Sequence, residues 1–168
     1  DGIGLTPARG ILTTQQIAAL VQRTEALGGL VSYKNNPDGT RSAYELNVNY
    51  LDALADPDES LSDKVVAQRF LTSQAIMLAL RGVPGIYFHS LFGSRSWRAG
   101  VQQTGEKRTI NRQKLQVDNL QLQLQRGLRR HVFAGYRHLL RLRTTEMAFH
   151  PYGRQQVLDL HPAVFALQ

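Results

Sequence analysis

Residues at helical spacing dominate the first third of the chain. Ile17, Leu20, Val21, Thr24 and Leu27 fall on one side of a segment that Thr13 and Gln16 open as a capping pair. Gly28 and Gly29 stop it, as glycines at helix C-termini do. A second helix is expected from Ser60 and Asp63, another capping pair, to about Leu80. Its latter half, Ala75-Ile-Met-Leu-Ala-Leu, is apolar all round and therefore buried. Helical patterns return from about Gln113 to Gln125 and from Leu128 to Glu146. In the latter, Val132, Phe133, Tyr136, Leu139, Leu140 and Leu142 form an apolar side opposite Arg130, Arg137 and Arg141.

Strand signals are fewer. Val31-Ser-Tyr reads as a short strand, followed by a turn-rich loop around Asp38-Gly39. Residues 44–54 mix polar and apolar positions without a clean period and read as irregular chain passing into a helical turn. Residues 83–88, between Gly82 and His89, are apolar on both faces and read as a buried parallel strand. Residues 90–111 read as a long polar connection. Gln155–Leu160 and Ala163–Leu167 read as a hairpin about His161-Pro162.

At 168 residues the chain has the length of one domain. It has no cysteine, which removes disulfides and thiolate metal sites. It has no apolar run long enough to span a bilayer and no secretory leader pattern. The net charge of +7 admits a basic, mostly helical nucleic-acid-binding module without enzymatic activity. The basic residues are scattered and lack interleaved aromatics, which favours the uneven surface of one piece of a larger protein. The chain opens abruptly at Asp1 and ends inside an apparent strand, as a fragment would. His89, His131, His138, His150 and His161 lack metal-ligand spacing. Ser90 and Ser94 lack a nucleophile-elbow context, and Gly2-Ile-Gly is not a dinucleotide fingerprint.

Asp1-Gly-Ile-Gly, Tyr44-Glu-Leu-Asn-Val-Asn-Tyr and Gly82-Val-Pro-Gly-Ile-Tyr-Phe-His, in this order, resemble glycoside hydrolase family 13, the α-amylase clan, and within it the sucrose phosphorylase subfamily. Val31-Ser-Tyr-Lys, His89-Ser-Leu-Phe-Gly-Ser-Arg and Thr109-Ile-Asn-Arg-Gln-Lys-Leu are most similar to its glucosylglycerate phosphorylase branch. The resemblance implies the C-terminal third of such an enzyme: an α/β, helix-rich end of a (β/α)8 barrel over residues 1–150, then the first hairpin of a C-terminal β domain over residues 151–168. Residues 83–88 would be barrel strand eight. The implied activity is cytoplasmic, cofactor-free, retaining transfer of glucose between an α-glucoside and inorganic phosphate, with no nucleic-acid or membrane partner.

The same resemblance makes Asp1 the carboxylate that stabilises the transition state. Tyr44 and Glu45 line the acceptor and phosphate site, and Arg112 meets phosphate or acceptor. Glu45 stands where sucrose-specific members carry Gln. The nucleophilic Asp and the acid/base Glu belong to earlier barrel strands, so the chain alone is expected to be inactive. It is expected to need the missing barrel segment or to self-associate.

Overall fold

A computed structural model describes residues 2–55 and 60–168. Asp1, the expected transition-state carboxylate, lies outside the described residues.

The first unit is a small antiparallel sheet. Strand β1 (Ile3–Gly4) pairs with β3 (Arg41–Asn47), which also pairs with β2 (Leu30–Asn35), giving the order β1-β3-β2. Helix α1 (Thr14–Ala26) precedes β2. Its Thr13 hydroxyl accepts from the Gln16 N–H at 3.2 Å, and the Gln16 side chain accepts from the Thr13 N–H at 2.8 Å. Leu5, Val31 and Leu46 are buried together, with Ile17 and Val21 of α1 against them.

The second unit is helical. After the short α2 (Tyr50–Ala53), α3 (Asp63–Ala79) packs against α7 (Gly127–Thr145). Leu51, Ala67, Phe70, Leu78, Val132 and Tyr136 form the core between them. Helices α4 (Phe88–Leu91), α5 (Arg98–Thr104) and α6 (Val117–Gln123), with a 3-10 turn at Lys107–Asn111, occupy the stretch between α3 and α7. Strands β4 (Val157–His161) and β5 (Val164–Leu167) form the expected terminal hairpin.

Several expectations need correction. Residues 41–47 are a strand, hidden in the sequence by an irregular period. Ser62, not Ser60, caps α3, its hydroxyl accepting from the Val65 N–H. Residues 90–111 are mostly short helices rather than open connection, and the helix expected over 113–125 shortens to Val117–Gln123. Residues 83–87 belong to no strand, and Phe88 already begins α4. A parallel strand exists only through its neighbours' hydrogen bonds, and no described strand lies beside this stretch. Val83 is accordingly 83% exposed.

Candidate functional site

The expected site residues Tyr44 and Glu45 sit on β3, at its one irregularity. Ser32 faces Glu45 and Tyr33 faces Ala43, so Tyr44 is the extra residue of a β-bulge. A bulge breaks the alternation of side chains and re-aims the residue it carries. On the other edge of β3, Gly4 faces Glu45 and the Leu5 N–H donates to the Tyr44 carbonyl at 2.9 Å.

Glu45 is gripped from the opposite side by Arg108. The guanidinium Nε donates to Oε2 at 2.8 Å and Nη2 to Oε1 at 3.0 Å, a two-pronged pair. Such forks fix direction as well as adding charge-assisted strength. The Glu45 side chain is 13% exposed and that of Arg108 51%, so the pair is anchored in the protein and open toward solvent. Hydrogen bonding to Glu45, then its charge, raises the Arg108 pKa, with a smaller contribution from the Tyr44 phenol. Glu45 and Arg108 therefore form one polar pair beside the bulge that carries Tyr44.

Gly2 backs the same pair. A β-carbon there would stand 2.5 Å from Glu45 Oε1, so any larger residue would displace the carboxylate from this position. The buried Asn111 amide, oriented to satisfy both neighbours, accepts from the Gly2 N–H at 2.8 Å and donates to the Arg108 carbonyl at 2.7 Å. The Tyr87 hydroxyl donates to the Asn111 carbonyl at 2.7 Å. Gly2, the end of the unpaired 83–87 stretch and the 3-10 turn are thus stitched together. Arg112, expected to meet phosphate or acceptor, is exposed at the C-terminal end of that turn, beside Asn111. Arg108, not Arg112, contacts Glu45.

A second polar group lies just beyond α4. His89 Nδ1 and the Ser94 hydroxyl are 2.9 Å apart, and Arg129 Nη1 donates to that hydroxyl at 3.1 Å and to the Phe92 carbonyl at 2.7 Å. The Ser94 hydroxyl thus bridges the Arg129 guanidinium and the His89 ring. Burial first, and the Arg129 charge with it, holds the His89 pKa below the ordinary imidazole value. His89 is thus a neutral, fixed ring at neutral pH. Nearby, Asp52 accepts from the Arg95 guanidinium at 2.7 Å and from the Ser96 N–H at 2.6 Å, and Asn49 Nδ2 donates to the Arg95 carbonyl at 2.7 Å.

Arg108, Asn111 and Arg129 were not picked out by sequence reasoning, and His89 was weighed only as a metal ligand. The available signal for Arg108 was its place immediately before the Thr109-Ile-Asn-Arg motif already singled out.

Two relatives fix the context. The chain is 48% identical to glucosylglycerate phosphorylase of Spirochaeta thermophila over 169 residues, covering 99% of this chain and 28% of that protein. It is 44% identical to glucosylglycerate phosphorylase of Escherichia coli, covering 99% of this chain and 30% of that protein. The chain resembles the C-terminal third of the glucosylglycerate phosphorylases. It spans less than a third of the length of the curated relatives it matches. Its fold is that of part of a solved sucrose 6F-phosphate phosphorylase from Thermoanaerobacter thermosaccharolyticum, with a TM-score of 0.77 at 23% identity over 96% of this chain and 31% of that one. No protein-family model matches the chain.

The basic charge has a structural use. Arg23 donates to the Ala55 carbonyl, Arg98 to that of Leu27 and Lys107 to that of Val31, each at 2.7 Å. Arg143 donates to the carbonyls of Leu78 and Gly82 at the end of α3. These cations close helix ends and strand edges, and nothing in the comparisons favours a nucleic-acid partner.

Proposed function

We propose that the chain is a segment of a retaining α-glucosyl phosphorylase that moves glucose between a small acceptor and phosphate, with glucosylglycerate as donor. The observation that carries this reading is the 48% identity to a glucosylglycerate phosphorylase across nearly the whole chain. The approach of Gly2 to Glu45, which Arg108 holds, supports it, because it sets the Asp1-Gly-Ile-Gly and Tyr44-Glu stretches side by side.

In this reading Asp1, next to Gly2, stabilises the oxocarbenium-like transition state, and Tyr44 and Glu45 line the acceptor and phosphate side. Arg112 supplies two parallel donors to phosphate or to the glycerate carboxylate. Retention needs a nucleophilic carboxylate and a carboxylic acid roughly 5 Å apart. No residue of this chain matches either family motif, so the chain by itself carries out no turnover. Residues 1–150 complete the barrel and residues 151–168 begin the β domain. The remaining barrel, or a second copy, covers the apolar surface left exposed. The test is glucose 1-phosphate release from glucosylglycerate and phosphate by a polypeptide that joins these residues to the rest of a barrel. Glu45→Gln in that polypeptide lowers kcat/KM for glucosylglycerate by at least about tenfold, the loss of one charge-assisted hydrogen bond. An unchanged kcat/KM removes Glu45 from the acceptor site.

A further inference from the structure

Arg129 is a half-buried cation whose acceptors are neutral. Its Nη1 is used on the Phe92 carbonyl and the Ser94 hydroxyl, and no carboxylate of the described residues pairs with it. Burial alone pushes its pKa below the ordinary arginine value. A cation taken out of water is normally matched by a counter-charge.

Arg129 forms one wall of a cleft of about 440 Å³, between the turn after α4, the chain just before α6, and the start of α7. Arg95 and Arg126 stand on the same cleft, and none of the residues lining it is acidic. The Arg95 charge is partly answered by Asp52, whereas Arg126 is exposed and its side chain forms no cap bond on α7. Gln113 and Gln123 add side-chain amides, and Trp97 gives an apolar flank. The volume is within the range of small-molecule sites, about 300–1,000 Å³.

We propose that this cleft binds a small phosphate-type oxyanion, held by the free edges of Arg126 and Arg129. Guanidinium groups offer planar, paired donors that suit phosphate oxygens. The amides reach the remaining oxygens, and the cleft has room against Trp97 for an organic portion as well as for the anion. The neutral His89 behind Ser94 adds no charge of its own. None of Glu45, Arg108 and Arg112 lines this cleft, and the proposal does not rest on the reading above.

The protein carries its own reporter, because Trp97 is its one tryptophan. Emission is followed while sodium phosphate, and in a second series glucose 6-phosphate, is added at constant ionic strength. The expected result is a saturable change that Arg126→Gln weakens by about tenfold, the value of one charge-assisted hydrogen bond. Far-UV circular dichroism stays unchanged in this exposed variant, and Arg108→Gln and Arg112→Gln leave the titration as it was. Tighter binding of the hexose phosphate identifies an organic phosphate as occupant, and equal or weaker binding identifies free phosphate. No saturable change in the folded protein, or one indifferent to Arg126→Gln, overturns the proposal. Loss in Arg112→Gln alone would also overturn it, while leaving the phosphorylase reading in place.

Discussion

Tyr136 is fully buried between the long helices, and its hydroxyl donates to Gln74 Oε1 at 2.7 Å. Tyr136→Phe keeps the ring but leaves the buried amide oxygen unpaired, which costs about 1–3 kcal/mol, read as a lower urea midpoint. The same residue sets a pH limit. Burial raises the Tyr136 pKa from 10.0 to about 12. Because the folded state holds the proton more tightly, its stabilising contribution is complete below the unfolded phenol pKa and is lost as pH rises from about 10 through 12. The urea midpoint of the wild type therefore falls across that window, and that of Tyr136→Phe falls less. An equal fall in both would assign the effect to other groups. Glu45 and Arg108 follow a different logic, since the pair is half open to water and contributes direction more than stability.

Among the elements, α1 and the turn after α4 show how local chemistry sets the frame. The two hydrogen bonds of the Thr13–Gln16 capping box satisfy donors at the start of α1, so Thr13→Ala costs about 1 kcal/mol. Gly93 has φ +58°, and a β-carbon there would meet the Val132 β-carbon at 3.0 Å. Gly93→Ala therefore costs about 1–2 kcal/mol for the left-handed conformation alone, with further loss from the α4–α7 contact; thermal unfolding measures both substitutions.

Legibility followed the same local chemistry. The α1 capping box, the apolar side of α7 and the terminal hairpin could be read because spacing over a few residues determines them. Strand β3 could not, because the bulge at Tyr44 breaks the period of two just where the chain is paired. Residues 83–87 misled in the other direction, since an apolar run reports burial in a sheet whose other strands must be supplied from elsewhere. Tyr44, Glu45 and Arg112 stood out only through motif wording. The partnership of Glu45 with Arg108 bridges 63 positions and has no local signature.

Over the described residues, apolar side chains remain uncovered in two places. Val83, Phe88, Ile76 and Leu80 are exposed around the unpaired stretch, and Val157, Leu160, Val164 and Phe165 are exposed on the hairpin. Exposed apolar surface of this kind marks interaction sites. The purified chain is therefore expected to self-associate with rising concentration, seen by light scattering after gel filtration, and a strictly monomeric profile at all concentrations would oppose this. The most direct test of the account replaces the matching segment of the Spirochaeta thermophila glucosylglycerate phosphorylase with these residues and assays glucose 1-phosphate formation. The account predicts phosphate-dependent turnover by the chimera and none by the 168-residue chain alone. A folded chimera without turnover, or turnover by the isolated chain, would contradict it.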